Sequence, residues 1–203
     1  MSVYDRIVDT AHFAELLEIE ALTNPRVREE AGDFRKVRAK DAVSGSGTTP
    51  IMASFAYTAH SRFSDGSFGV YYASCDEATA LAETIYHKTA FLRATNEPSI
   101  DLDERMYRAA VSGKFDDIRA RSPRSKLYDP DDYAGSQRYG GRVYAADMLD
   151  GILYRSVRRP AGECVAVFRP RCIAKCRMHK YLRLRWDGTS IVNVAVLTSL
   201  GPR

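Results

Sequence analysis

Residues 60–87, HSRFSDGSFGVYYASCDEATALAETIYH, decide how this chain is read. Asp65-Gly66 signals a turn. The run FGVYYAS (68–74) is rich in aromatic and β-branched residues and predicts a strand. Asp76 then stands where a helix N-cap belongs, ahead of a helix of about four turns that reaches FLRA. At 100° per residue, Ala78, Leu81, Ile85 and Leu92 share one side of that helix and are expected to pack on a sheet. Thr79, Glu83, His87 and Ala90 share the opposite side, where a solvated i,i+4 Glu–His pair is the ordinary expectation.

Outward from this unit, helices come first and strands last. DTAHFAELLEIEALTNP (9–25) places Phe13, Leu16, Leu17 and Leu22 at helical spacing, and Pro25 ends the pattern. DAVSGSGTTP (41–50) reads as a loop whose Gly45-Ser46-Gly47 is a flexible turn rather than a phosphate cradle. IMASFAYTA (51–59) predicts a buried strand, and RMYRAAV (105–111) another. PDDYAGSQRYGGRVYAADM (130–148) predicts a helix despite its glycines, followed by short strands at GILYRSV, ECVAVF, YLRLRW and IVNVAVL. The pattern is α+β, a single mixed domain over 1–203 with residues 1–50 as a helical and loop N-terminal extension packed on it.

Composition sets the outer bounds. A chain of 203 residues with 45% hydrophobic and 28% charged residues can bury a full core without metal or disulfide help. The net charge of +4 suits an anionic ligand and falls short of a nucleic-acid tail. No apolar run approaches the ~18 residues of a membrane span. The opening MSVYDRIVDTAHF lacks a signal pattern, so a cytoplasmic location is expected. Cys75, Cys164, Cys172 and Cys176 form no disulfide framework, and Cys172, Cys176 and His179 match no standard zinc spacing, so no metal is expected.

The candidate site residues are individually ordinary. Arg62, before a turn, can fork two hydrogen bonds onto a phosphate. Tyr71 and Tyr72 point to opposite faces of one strand, so one is core and the other can present its ring to a flat ligand. Ser156 places a hydroxyl at a strand end beside two arginines. An arginine, a tyrosine, a glutamate and a serine at element ends suit a ligand with an aromatic ring, sugars and a pyrophosphate, which describes NAD.

SRFSDGSFGVYYA, TALAETIYH and GILYRSVR, in that order, resemble the RES-domain family, named for its Arg, Glu and Ser. ALTNPR, GSGTTPIMASFAY and the late WDG at Trp186–Gly188 resemble the longer branch of that family. The resemblance covers the chain from about residue 15 to its end. It implies a fold similar to ADP-ribosyltransferase toxins and membership of a bacterial toxin–antitoxin pair. The implied activity is cleavage of NAD as substrate, by a glycohydrolase or phosphorylase, or ADP-ribosylation of a target protein. The implied partner is an antitoxin with a helix-turn-helix domain, blocking the active site. By motif, Arg62, Glu83 and Ser156 take the family positions. Spacing to Glu83 favours Tyr72 over Tyr71 as the family tyrosine, and His87 matches a histidine found in part of the family.

On this resemblance Glu83 stabilises the positive charge on the ribose, and Arg62 holds the pyrophosphate. Tyr72 stacks on the ligand, Ser156 bonds the nicotinamide amide or a phosphate, and His87 orients Glu83 or the acceptor. Two rival readings are a non-enzymatic nucleic-acid binder and an interaction module without turnover. The seven Arg and Lys residues of 169–185 are a docking surface for a target protein, an antitoxin interface or a solvated sheet face.

Overall fold

A computed structural model describes residues 37–44 and 47–198. The helix expected over 9–25 lies outside them. After a short 3-10 turn, α1 (Thr49–Ala56) leads to β1 (Tyr71–Ser74) and α2 (Glu77–Ala94). Strands β2 (Ile100–Val111) and β3 (Phe115–Asp117), helix α3 (Ala134–Ala146), and strands β4 (Gly151–Arg155), β5 (Glu163–Val167), β6 (Ile173–Trp186) and β7 (Ile191–Leu197) complete the chain. Two sheets result. One has the order β1-β5-β4-β3, the other β2-β6-β7. The α+β class follows directly.

The four-stranded sheet carries a core on each face, as alternation of side chains requires. Cys164 and Ala166 of β5, with Ile152 and Tyr154 of β4, join Phe63, Phe68, Leu127 and Phe168 on one face. Val165 and Val167 face the other way, onto Ile51, Phe55, Cys172, Ile173 and Cys176. Tyr72 pairs with Ala166 and so belongs to the first face, whereas Tyr71 pairs with Val167 and belongs to the second.

IMASFAYTA is a helix over most of its length, not a strand. Pro50 occupies the first turn, where its missing N–H costs nothing, and Ile51, Phe55 and Ala56 turn to one side and are buried. An apolar run this short looks the same in either state. The helix after Asp76 is present and runs 18 residues, capped as expected by Asp76, which accepts from the Thr79 N–H at 2.9 Å. Its facing differs from expectation. Ala78 is exposed and Thr79 is fully buried. The reason is that α2 has structure on two sides. Thr79 meets Arg159 and Gly162 in the turn after β4, while Ala80, Leu81 and Thr84 look toward β2 and β6.

The basic stretch 169–185 is largely neutralised within the fold. Arg183 pairs with Asp103 at 2.8 Å and Arg185 with Asp101 at 3.0 Å, across the β2–β6 register. Lys180 and His179 meet Glu77 at 2.5 and 2.8 Å, and Arg169 and Arg171 serve Asp41, Asp147 and Asp150. The stretch therefore behaves as a face of paired charges, with Cys172 and Cys176 buried in the second core.

Candidate active site

The site forms where β4 ends, on the first face of the four-stranded sheet. Ser156 directly follows β4. Its oxygen accepts from the N–H groups of Arg158 (3.1 Å) and Arg159 (3.0 Å), a side-chain-capped turn. Its hydroxyl donates to Glu83 Oε1 at 2.6 Å. Glu83 is thus fixed from α2 by a residue 73 positions later in sequence. Ser156, expected to bond the ligand itself, spends its one donor on Glu83 in this state.

His87 lies one helical turn on from Glu83, with Nε2 3.8 Å from Glu83 Oε2. Its pKa is lowered, first by burial and further by the guanidinium charges of Arg158 and Arg62, although Glu83 pulls the other way. Tyr154 of β4 is buried in the first core, its phenol pushed well above its ordinary value by burial and by neighbours that include Cys164, Tyr72 and Glu83. Cys164 itself is raised to about 11 by burial.

Arg62 sits in the irregular segment between α1 and β1, not at a strand end. It is 9% exposed. Its Nη1 donates to the carbonyls of Asp129 (2.9 Å) and Leu127 (3.4 Å), and its guanidinium covers the Tyr133 ring at 4.6 Å. Tyr72 is held beside it, because its hydroxyl accepts from the Phe63 N–H at 3.0 Å and donates to Ser61 at 2.9 Å. Tyr72 as a residue is 37% exposed, but its hydroxyl end is bonded to Phe63 and Ser61, and burial there pushes the phenol up to about 12. Tyr71 lies apart from the site. Strand alternation turns it onto the second core, where it meets Cys176 and burial raises its phenol to about 12. Arg62, Tyr72, Glu83, His87 and Ser156 are therefore gathered in one place, and Tyr71 is not.

Three further residues at the site were not expected from the sequence. Arg158 stacks over the Tyr86 ring at 3.3 Å and donates from Nη2 to Pro130 O at 2.5 Å. Tyr133 lies under Arg62 and within 3.4 Å of Arg158 through its hydroxyl. Tyr154 packs edge-on against Phe63, the residue after Arg62, with ring centroids 5.0 Å apart. The only hint of Arg158 in the sequence is the Arg158-Arg159 pair two residues beyond Ser156. A cavity of about 930 Å³ runs along another side of α2, lined by Tyr72, Ala80, Leu81, Thr84, Met106 and Leu182, and does not include Glu83, His87 or Ser156.

An acid fixed by a hydroxyl, a histidine one turn away within reach of two guanidinium charges, and a partly exposed tyrosine form an arrangement chemically able to hold an anionic ligand. The RES domain model matches residues 36–187, and the chain belongs to that family. It is also similar to an uncharacterized protein, y4oC, of Sinorhizobium fredii (strain NBRC 101917 / NGR234). The two are 32% identical over 201 residues, covering 94% of this chain and 80% of that one. The RES family is associated with toxin-like functions that act on NAD, and its fold resembles that of ADP-ribosyltransferases. Among the described residues no helix is long and apolar enough to cross a membrane.

Proposed function

We propose that this protein is a toxin that consumes NAD, cleaving the bond between nicotinamide and ribose and passing ADP-ribose to water or phosphate. The observation that carries this reading is the Glu83 carboxylate, oriented by Ser156 and one helical turn from His87, which the charges of Arg62 and Arg158 reach. In the reaction the glycosidic bond to the nicotinamide nitrogen breaks and neutral nicotinamide leaves with the bonding pair. Positive charge grows on the ribose, as in glycoside hydrolysis. A fixed carboxylate near that ribose stabilises the charge without reorganising, because Ser156 already holds it. The oxygen of the acceptor then bonds the anomeric carbon, and with water one proton is released. His87, kept neutral near pH 7 by its lowered pKa, is suited to take that proton.

Five of the seven basic residues of 169–185 are paired with carboxylates of the same chain, which weighs against a basic docking surface for a target protein and favours water or phosphate as acceptor. The partner we propose is an antitoxin with a helix-turn-helix domain, part of which blocks this site. The test is the fate of NAD with purified protein, with and without phosphate, beside Glu83→Gln. The expected result is nicotinamide release by the parent and a loss of about a hundred- to a thousandfold in rate for the variant, on the scale of removing one preorganised transition-state contact. Equal rates would remove Glu83 from the chemistry, and no release by the parent would overturn the reading.

A further inference from the structure

The segment between the 3-10 turn Lys126–Tyr128 and α3 has the sequence Asp129-Pro130-Asp131-Asp132-Tyr133. Its root is anchored. Leu127 and Tyr128 are buried, and the Tyr128 hydroxyl donates to Ile118 O at 2.9 Å. Its tip is not part of the core, because Pro130, Asp131 and Asp132 are exposed. What holds the tip down is the pair of site arginines. Arg62 reaches Leu127 O and Asp129 O and covers the Tyr133 ring, while Arg158 reaches Pro130 O and the Tyr133 hydroxyl.

These contacts are made to neutral acceptors. The Asp129 carboxylate bonds the N–H groups of Asp131 (3.0 Å) and Asp132 (2.8 Å). Asp131 accepts only a long bond from the Tyr86 hydroxyl, 3.5 Å. The Asp132 carboxylate accepts from the Ala134 N–H at 2.8 Å. Two guanidiniums therefore hold a segment with three carboxylates in four residues, and their direct hydrogen bonds go to carbonyls and a phenol rather than to those carboxylates. A diphosphate offers the same guanidiniums charge-assisted bonds, which are roughly twice as strong as neutral ones. The same two charges reach His87, one turn from Glu83, so they lie within range of any ligand seated on the carboxylate.

We propose that Asp129–Tyr133 is a strap that stands in for a diphosphate. It occupies Arg62 and Arg158 in the free protein and yields them when a nucleoside diphosphate binds, which makes Arg158 a second diphosphate-binding residue. The inference rests on the proposed use of a dinucleotide substrate and adds to it a residue and a conformational step. The strap lowers the apparent affinity for the ligand by the fraction of molecules in which it is closed.

The experiment is hydrogen exchange of the full chain, read on peptides covering residues 125–134, with ADP as probe and adenosine as control. Saturating ADP is expected to speed exchange at Asp131 and Asp132 while adenosine leaves it unchanged. Arg158→Ala is expected to speed exchange without ligand and to weaken ADP binding by about tenfold or more, the scale of one charge-assisted contact. Tyr133→Leu, which keeps both arginines, is expected to loosen the strap and tighten ADP binding. Unchanged or slower strap exchange with bound ADP overturns the proposal, as does parent-like ADP affinity in Arg158→Ala or no ADP binding at millimolar concentration. NAD consumption is scored separately. An ADP-released strap in a protein that leaves NAD intact sinks the proposed reaction and keeps the strap. Glu83-dependent NAD loss with a strap indifferent to ADP does the reverse.

Discussion

The Ser156 hydroxyl donates to Glu83 Oε1 at 2.6 Å while its oxygen accepts from two backbone N–H groups, those of Arg158 and Arg159. The two acceptor positions are filled by the turn, so the proton has one direction left, toward Glu83. Ser156→Ala removes that bond but not the carboxylate. A hydrogen bond to a charged group contributes about 1.5–3 kcal/mol. We expect kcat for NAD loss to fall roughly ten- to hundredfold, since each 1.36 kcal/mol is tenfold, with KM little changed. Ser156→Thr, which keeps the hydroxyl, should restore much of the rate. A variant that raised KM alone would instead assign Ser156 to ligand binding.

His87 carries a pH signature. Its folded pKa lies below 6.5, chiefly through burial and then through Arg158 and Arg62. The imidazole is therefore neutral at pH 7 and gains a proton only as pH falls below 6.5. The kcat/KM profile of the parent should decline on that acid side, because a protonated His87 can neither accept a proton nor leave Glu83 unpaired. His87→Gln should be slower at pH 7 and should lack the acid limb. A variant profile that kept the limb would move the titration to another group.

Glu77, at the first position of α2, accepts from Lys180, Arg108 and His179, which together bring its pKa down to about 2. The folded value lies below the unfolded one of about 4.3. The stabilisation is therefore complete above about pH 4.3 and is lost as pH falls through about 2. Glu77→Gln should melt below the parent at pH 7, and the gap should narrow between pH 4.3 and 2. Melting curves at pH 7, 4 and 2.5 read this directly. Because Glu77 ties the start of α2 to β2 and β6, the variant should also lower NAD turnover modestly by loosening Glu83.

How far the sequence could be read depended on how local each signal was. FGVYYAS followed by Asp76 carried a strand and a capped helix, because alternation and capping act over a few residues. IMASFAYTA did not declare itself, since burial of one helical face and of a short strand leave the same apolar run. Strands β2 and β6 were underestimated because their outer faces carry Asp101, Asp103, Arg183 and Arg185, which only make sense as cross-strand pairs. Three-residue β3 offers too little pattern to see. At the site, Arg62, Glu83 and Ser156 came from the order of family motifs, whereas Arg158 and Tyr133 are defined by contacts across 25 residues and carried no motif. The choice between Tyr71 and Tyr72 needed the register of β1 on β5.

Gly140 explains why a helix with glycines at Gly135, Gly140 and Gly141 is stable where it lies. A Cβ at Gly140 would meet the carbonyl oxygen of Phe63 and would stand 2.8 Å from the Phe63 Cβ. Helix α3 thus presses its backbone onto the residue beside Arg62, and only hydrogen fits between them. By propensity alone, Gly140→Ala should stabilise a helix by about 1 kcal/mol. Here the obstruction is main chain rather than a flexible side chain, so the helix or the 61–64 turn must shift. Overpacking of this kind costs about 1–3 kcal/mol. We expect Gly140→Ala to lower Tm and, by displacing Phe63 and with it Arg62, to weaken ADP binding. Gly141→Ala is the control, because nothing lies within 4 Å of its added carbon. It should leave ADP binding intact and hold or raise Tm. Parent-like melting and ADP affinity in Gly140→Ala would show that α3 does not position Arg62.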